Sequence, residues 1–208
     1  TLDVQSMCDT STKVFILEVM GRHAGWMAAS SSLAKLSSVD TPDLILLPEV
    51  LFDKKKFLKK VAETVQKKKY CVVVASEGIK DKKTKKFISE SGIKDSFGHS
   101  QLGGVAPYLS EVINKELSLK NHWCVADYLQ RSARHIASKV DLDQAKEVGK
   151  YAIRYARKGL NGIMPVIKRT SNNPFKWNIH PAKIEEIANI EKKLPSSYIR
   201  KDGFHVTN

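Results

Sequence analysis

Short apolar runs alternate with amphipathic stretches along the whole chain. Runs of roughly four to eight apolar residues, many of them β-branched, predict buried strands. Most of these runs are followed by a stretch whose apolar residues recur at helical spacing. We predict strands at 13–20, 44–47, 70–75, 122–126 and 162–168, and helices at 23–36, 53–68, 109–117, 131–158 (two helices divided near 140–143) and 181–193.

This alternation predicts an α/β fold, with a Rossmann-like, mainly parallel sheet and helices on both faces. Residues 78–104 are polar and basic and contain glycine, so we expect a loop or a small hairpin insertion there. Asp141 or Asp143 is expected to cap the second helix of 131–158. We divide the chain into an α/β lobe, 1–170, and a C-terminal extension with a helix, 171–208.

Unusual polar residues come directly after the predicted strands, which is where open parallel sheets bind their ligands. After the first strand, Gly21 permits close backbone approach, and Arg22 leads into a helix whose amino terminus would attract an anion. After the third strand, the carboxylate of Glu77 can accept hydrogen bonds from sugar hydroxyls. After the fourth strand, Tyr128 and Arg131 offer a second contact for a phosphate at the start of a helix.

Each of these residues also has a purely structural interpretation. Arg22 would then form a salt bridge beside a glycine that starts a helix, Glu77 would face solvent in a turn, and Arg131 would belong to a charged, capped helix start. The residue types and their spacing leave these alternatives open.

The charge of the chain has two competing explanations. The 208 residues are 42% hydrophobic, enough for a core, and carry a formal net charge of +13. A nucleic-acid footprint would need basic residues on one face, with aromatic residues interleaved for stacking. The lysines of 54–69 instead bracket one predicted helix, 53–68, and those of 80–86 fill one loop, with few aromatic residues between them. We therefore expect a solvated lysine-rich surface and no specific nucleic-acid partner.

Cysteine content and the ends of the chain bear on location. Cys8, Cys71 and Cys124 are odd in number and lack CxxC spacing, which indicates free thiols in a reducing compartment. No run reaches the ~18 apolar residues of a membrane span, so we expect a cytoplasmic protein without membrane contact. The chain begins at Thr1, with neither an initiator methionine nor a signal-peptide pattern. We therefore expect it to be a portion of a longer protein.

Two segments resemble a known family. Residues 13–26, KVFILEVMGRHAGW, resemble the MGR segment of the phosphofructokinases, and the HAGW extension is highly specific. Residues 128–131, YLQR, resemble the family's second sugar-phosphate segment, and Glu77 lies between the two in the family's order. Where ATP-dependent relatives commonly have His and Gly-Gly, this chain has Tyr128 and Ser132-Ala133, which favours the pyrophosphate-dependent branch. The resemblance covers essentially the whole chain and implies the C-terminal lobe of a phosphofructokinase.

The resemblance implies a fructose 6-phosphate site in the lobe 1–170. Arg22 would lie beside the sugar phosphate and near the phosphoryl group in transit, as the catalytic residue of this chain. Glu77 would bind sugar hydroxyls. An adjacent subunit would complete the phosphate pocket with Lys13 and with either His122 or Lys120. The remaining substrate-binding residues would be Met20, Gly21, Tyr128, Leu129, Gln130 and Arg131, with Tyr128 and Arg131 at the 6-phosphate.

The resemblance also implies an activity for the whole protein: transfer of a phosphoryl group from pyrophosphate to the 1-hydroxyl of fructose 6-phosphate in glycolysis, by a cytoplasmic homo-oligomer with Mg²⁺. The family's glycine-rich phosphate loop and catalytic-aspartate segment are not found in this sequence. An N-terminal lobe would supply them and bind most of the Mg²⁺, so this chain is expected to hold no metal and to be inactive alone. The alternatives are an ATP-dependent 6-phosphofructokinase and a non-catalytic regulatory subunit that binds a sugar phosphate.

Overall fold

The computed structural model describes residues 11–34, 41–94, 100–102 and 104–207, of which 90–94 and 100–102 are described by backbone alone. Four strands form a parallel sheet: β1 (Val14–Val19), β2 (Leu44–Leu46), β3 (Cys71–Ser76) and β6 (Asn121–Val125). Their order across the sheet is β2-β3-β1-β6. The predicted α/β fold with a mainly parallel sheet is confirmed.

Helices cover both faces of this sheet. They are α1 (Trp26–Ser30), which continues as a 3₁₀ turn (Ser31–Ala34), α2 (Lys54–Lys68) and α3 (Val105–Leu117). Alternate residues of β1 enter separate cores, because successive side chains of a strand point to opposite faces. Val14 and Ile16 pack with the apolar sides of α2 and α3, whereas Val19 packs with Ala28 of α1. β3 is buried along its whole length, as its uninterrupted apolar sequence indicates.

The chain forms two compact units. The first runs to Arg131 and resumes at Lys192, and the second is Ser132–Glu191. Within the first unit, β4 (Glu90–Lys94) and β5 (Ser100–Leu102) form an antiparallel hairpin in the expected insertion. The functional division at residue 170 stays a prediction, and its boundary falls inside a strand of the second unit. That unit contains α5 (Lys139–Arg157), an antiparallel hairpin of β7 (Ile163–Asn172) and β8 (Phe175–Lys183), and the one-turn helix α6 (Ile184–Ile187).

The prediction of a single helix over 23–36 was wrong. α1 contains five residues and gives way to a 3₁₀ turn. The hydroxyls of Ser30 and Ser31 donate to the carbonyls of Met27 and Ala28 at 2.7 and 2.6 Å. Serine hydroxyls that bond to nearby backbone compete with a regular helix. Residues 35 and 36 lie outside the described residues.

The prediction of two helices in 131–158 was also wrong. A four-residue helix, α4 (Leu129–Ser132), is followed by a 3₁₀ turn and then by the uninterrupted helix α5. The cap of α5 is Ser138, whose hydroxyl accepts the Asp141 N–H at 3.1 Å. Asp143 lies within the helix and pairs with Lys139 at 2.6 Å. Neither aspartate caps a helix.

The prediction of a helix over 181–193 was wrong for most of its length. β8 continues to Lys183, and only the four residues of α6 are helical after it. The alternation of Phe175, Trp177 and Ile179 has the period of two expected of a strand. Within the described part of the chain, no helix combines the length and the apolar composition needed to cross a membrane.

Candidate functional site

The carboxyl ends of three neighbouring strands meet at one edge of the sheet. β1 pairs in parallel with β3, Val19 opposite Ser76, and with β6, Glu18 opposite Val125. The segments that follow these strands therefore start side by side. They are the three segments that the sequence singles out, beginning at Met20, Glu77 and Ala126.

The turn Met20–Arg22 is hydrogen-bonded to the segments on both sides of it. The Gly21 N–H donates to Glu77 Oε1 at 3.1 Å, and the Met20 N–H donates to Gln130 Oε1 at 3.4 Å. The Ser76 hydroxyl donates to the Gly21 carbonyl. Gly21 has a φ of 145°, which residues with a side chain rarely adopt. The three segments thus form one connected surface.

Gly78 brings two of these segments into backbone contact. A Cβ atom at Gly78 would lie 1.9 Å from the Arg22 carbonyl oxygen and 2.6 Å from that of Gly21. Only a residue without a side chain fits at this distance. Gly78 was not among the residues predicted for the site, although a glycine directly after Glu77 at a strand end is a signal of close approach.

Arg22 is half-buried and forms no ion pair with any described residue. The structural alternative of a salt bridge therefore finds no partner in the described ranges. The neighbouring His23 stacks on Phe87, with 5.9 Å between ring centroids. The expected contribution of a helix amino terminus was overestimated, because α1 has only five residues and its dipole is correspondingly small. Attraction for an anion here would come from the guanidinium and the backbone N–H groups.

The Tyr128–Arg131 corner is exposed. Tyr128 is 66% and Leu129 75% exposed, and the Arg131 guanidinium lies 5.7 Å from the centre of the Tyr128 ring. Arg131 lies in the one-turn helix α4 and does not open a long helix as predicted. Gln130 differs from its neighbours because its Nε2 is buried and has no hydrogen-bond partner among the described residues. An unpaired buried donor is unfavourable, so an acceptor other than the described residues is expected for it.

Glu18, in the strand that leads into this edge, is a buried carboxylate that contacts the start of α3. Glu18 of β1 is only 2% exposed, and its Oε2 accepts the Ala106 N–H at 2.8 Å. Burial raises the pKa of Glu18, and repulsion from Glu77 raises this pKa further, while N–H groups at the start of α3 oppose the rise. The residue connects the site strand to the start of α3. Sequence reasoning missed it, since a single Glu inside an apolar strand shows no spacing that would reveal its partner.

Lys13 and His122 lie at the amino ends of β1 and β6. The Lys13 N–H donates to the Lys120 carbonyl at 2.8 Å, and the Lys120 ammonium donates to the Ser11 hydroxyl at 2.9 Å. A six-residue strand at ~3.3 Å per residue separates this end of the sheet from Arg22 by about 20 Å. Lys13 therefore does not reach the site of its own chain, and its role in a neighbouring subunit stays a prediction.

Metal-binding residues do not gather in the described ranges. No group of three or more His, Cys, Asp or Glu side chains there could hold a metal ion. Glu77, the carboxylate closest in sequence to the strand end, is already occupied on one oxygen by the Gly21 N–H. The place of Mg²⁺ in the whole protein stays a proposal.

An open parallel sheet with polar residues at the carboxyl ends of its strands defines an α/β protein of the class that binds ligands at this edge. The model of the family described as Phosphofructokinase matches residues 2–156. The chain belongs to the phosphofructokinase family. The predicted resemblance is confirmed.

Curated relatives and solved structures agree with this assignment. A protein of Xanthomonas campestris named pyrophosphate–fructose 6-phosphate 1-phosphotransferase is 55% identical over 99% of this chain, which spans 49% of that relative. A relative of the same name from Methylococcus capsulatus is 51% identical. The pyrophosphate-dependent phosphofructokinase of Marinobacter aquaeolei is 48% identical with a TM-score of 0.83, covering 99% of this chain and 48% of that one. The chain spans about half the length of the curated relatives it matches.

Proposed function

We propose that this chain is the fructose 6-phosphate-binding part of a longer enzyme that transfers a phosphoryl group from pyrophosphate to the sugar's 1-hydroxyl. The names of the most similar relatives support both the sugar phosphate and the donor. The observation that carries the proposal is the turn Met20–Arg22, which is hydrogen-bonded to Glu77 on one side and Gln130 on the other. One small molecule at this turn can contact all three segments.

The groups at this edge suit the two ends of a phosphorylated sugar. Glu77 uses Oε1 for the Gly21 N–H, which leaves Oε2 to accept hydrogen bonds from sugar hydroxyls. Arg131 and Tyr128 supply a cation and a hydroxyl for the 6-phosphate, and charge-assisted bonds of this kind are the strong ones. The buried Nε2 of Gln130 provides a further donor. Arg22, without an ion-pair partner among the described residues, would neutralise charge near the transferred phosphoryl group.

Phosphoryl transfer depends chiefly on positioning and on neutralisation of charge. This chain would position the acceptor sugar and supply cationic groups. The donor loop, the base and the ligands of Mg²⁺ would come from residues outside it, because the sequence shows no matching segments. Homo-oligomers in the cytoplasm, with Lys13 and His122 or Lys120 completing a neighbour's phosphate pocket, form part of the same proposal.

Assay of the full-length protein with each donor tests the proposal. We expect formation of fructose 1,6-bisphosphate from fructose 6-phosphate with pyrophosphate, and little with ATP. The chain of 208 residues alone is expected to form no measurable product. Preference for ATP would establish the ATP-dependent alternative. Tight binding of fructose 6-phosphate without turnover by the full-length protein would establish the regulatory subunit.

A further inference from the structure

A single carboxylate oxygen joins the candidate site to the C-terminal segment 192–199, which we name the strap. Glu49 Oε1 accepts the Gly25 N–H at 2.8 Å and the Leu194 N–H at 2.9 Å. Gly25 lies three residues after Arg22, and Leu194 lies in the strap. Glu49 follows the end of β2 by three residues. Its contacts show that it bridges two distant parts of the chain.

Glu49 is held closely in this position. A Cβ atom at Gly25 would lie 2.6 Å from Glu49 Oε2 and 2.8 Å from a methyl carbon of Leu47. Glu49 Oε2 is buried and has no hydrogen-bond partner among the described residues. Burying an unpaired carboxylate oxygen is unfavourable, so the contacts made by Oε1 must offset that cost. Gly25, the glycine of the HAGW motif, thus leaves the space that the Glu49 carboxylate occupies.

Two further contacts fasten the strap on the same turn. The Trp26 Nε1–H donates to the Lys192 carbonyl at 2.6 Å, and the indole meets the Tyr198 ring edge-on at 6.2 Å. Leu194 is 4% exposed and packs in one apolar cluster with Val19 and Ala28. Val19 directly precedes the turn and Ala28 follows it. The strap therefore contacts both flanks of the segment that carries Arg22.

We propose that Glu49 is a positioning residue, which holds the strap against residues 25–26. It thereby fixes Arg22 at the sugar-phosphate edge, the strand-end surface that the turn Met20–Arg22 forms with Glu77 and Gln130. This inference rests on the proposed function of that edge. Glu49 would touch no substrate and would act only through Gly25 and the strap. A carboxylate is suited to this task, because an ionised oxygen makes stronger bonds to two N–H groups than a neutral acceptor does.

The first test is kinetic and uses the full-length protein. Glu49→Ala is expected to lower kcat/KM for fructose 6-phosphate about tenfold, since small displacements of a positioning group have effects of this order or larger. KM for pyrophosphate should change less than about twofold, because the clamp acts on the sugar-phosphate edge. Glu49→Gln keeps one acceptor oxygen in the same volume, and its loss should be smaller. If Glu49→Ala does not fold, the Glu49→Gln variant serves for the test instead.

Asp53→Ala is the matched control. Asp53 is also a carboxylate that accepts a backbone N–H, from Lys56 at 3.2 Å, and it pairs with Lys82 at 3.1 Å. It caps α2 and forms no hydrogen bond or ion pair with the described residues of the site or the strap. Asp53→Ala should lower the thermal midpoint without lowering kcat/KM for fructose 6-phosphate.

The second test is hydrogen exchange of the same variants. In Glu49→Ala the amides of Gly25 and Leu194 should exchange faster, whereas in Asp53→Ala they should exchange as in the wild type. Faster exchange with unchanged kcat/KM would overturn the positioning role and leave a purely structural contact. Unchanged exchange would overturn the clamp itself. A wild-type protein that exchanges as expected but does not use fructose 6-phosphate would instead refute the proposed function.

Discussion

At the scale of single residues, Gly78 is the position where one added methyl group should most strongly impair binding at the site. Gly78→Ala would place a methyl group 1.9 Å from the Arg22 carbonyl oxygen, so the turn must move. We expect loss of detectable fructose 6-phosphate binding, measured by calorimetry, together with a lower thermal midpoint.

Gly149→Ala is the control, because nothing lies within 4 Å of its added methyl group. It should stabilise α5 by ~0.5–1 kcal/mol. Binding by Gly78→Ala at the wild-type level would contradict the described packing.

Arg131 is the residue most directly tested by kinetics. Its guanidinium is exposed and contacts the Tyr128 ring, so its removal should disturb the fold little. If it binds the 6-phosphate, Arg131→Ala removes a contact worth ~1.5–3 kcal/mol and should raise KM for fructose 6-phosphate roughly ten- to hundredfold.

The control is Arg200→Ala, which removes a guanidinium paired with Asp202 at 3.6 Å. An Arg200→Ala effect as large as that of Arg131→Ala would mean that general charge, and not a specific contact, attracts the substrate. An unchanged KM in Arg131→Ala would remove Arg131 from the site.

At the scale of elements, Glu18 couples the stability of β1 and α3 to pH. Because burial raises its pKa above 4.5 in the folded protein, its contribution to stability is fully present below the unfolded pKa. That contribution is lost as pH rises through the folded pKa. Glutamine at this position does not titrate. The thermal midpoint of wild type minus that of Glu18→Gln should therefore fall as pH rises above about 4.5.

A carboxylate with the opposite shift provides the comparison for Glu18. A hydrogen bond to Lys54 lowers the pKa of Glu116, so its contribution is present above the unfolded pKa and is lost as pH falls. The wild type minus Glu116→Gln difference should fall toward acid, by a small amount because the pair is exposed. If the Glu18→Gln difference does not vary with pH, burial does not control the protonation of Glu18.

The elements also show which signals in the sequence were sufficient. β3 was predictable because its six residues are all apolar or small and are covered on both faces. β8 was missed because the prolines and lysines of 174–183 obscured an alternation that becomes decisive only once β7 pairs with it. The end of α1 depends on which backbone carbonyls Ser30 and Ser31 reach, and helical spacing does not determine this.

The candidate site was predictable to the extent that strand order follows from the α/β pattern. Polar residues after successive parallel strands must lie at one edge, and Met20, Glu77 and Gln130 do meet there. The contacts of Glu18 and Glu49 were not predicted, since each carboxylate accepts backbone N–H groups far away in sequence. Such partners leave no side-chain pattern to detect. Gly25 illustrates the same limit, because its small size is needed only against Glu49.

At the scale of the whole molecule, the net charge of +13 is spread over a lysine-rich surface. Several of these lysines pair with exposed carboxylates, as Lys54 does with Glu116 at 2.8 Å and Lys139 with Asp143 at 2.6 Å. Exposed pairs contribute little to stability and are screened by salt. A solvated surface of this kind produces a general attraction for anions, whereas a specific contact would require a guanidinium such as that of Arg22, which has no ion-pair partner among the described residues.

The position of Lys13 leads to a prediction about assembly. Lys13 lies about 20 Å from the Arg22 end of its own strand, so it can bind substrate only in a neighbouring copy.

Lys13→Ala and Arg131→Ala proteins should each be weakly active at low fructose 6-phosphate. Mixed oligomers should regain activity, because one protomer then supplies Arg131 and the other Lys13 to the same site. In a two-fold heterodimer, one of the two sites would be restored and the other would lack both side chains. The measurement is activity after the two tagged variants are co-expressed and the hetero-oligomers are purified. Activity no higher than the mean of the two parents would show that Lys13 does not complete a neighbour's site.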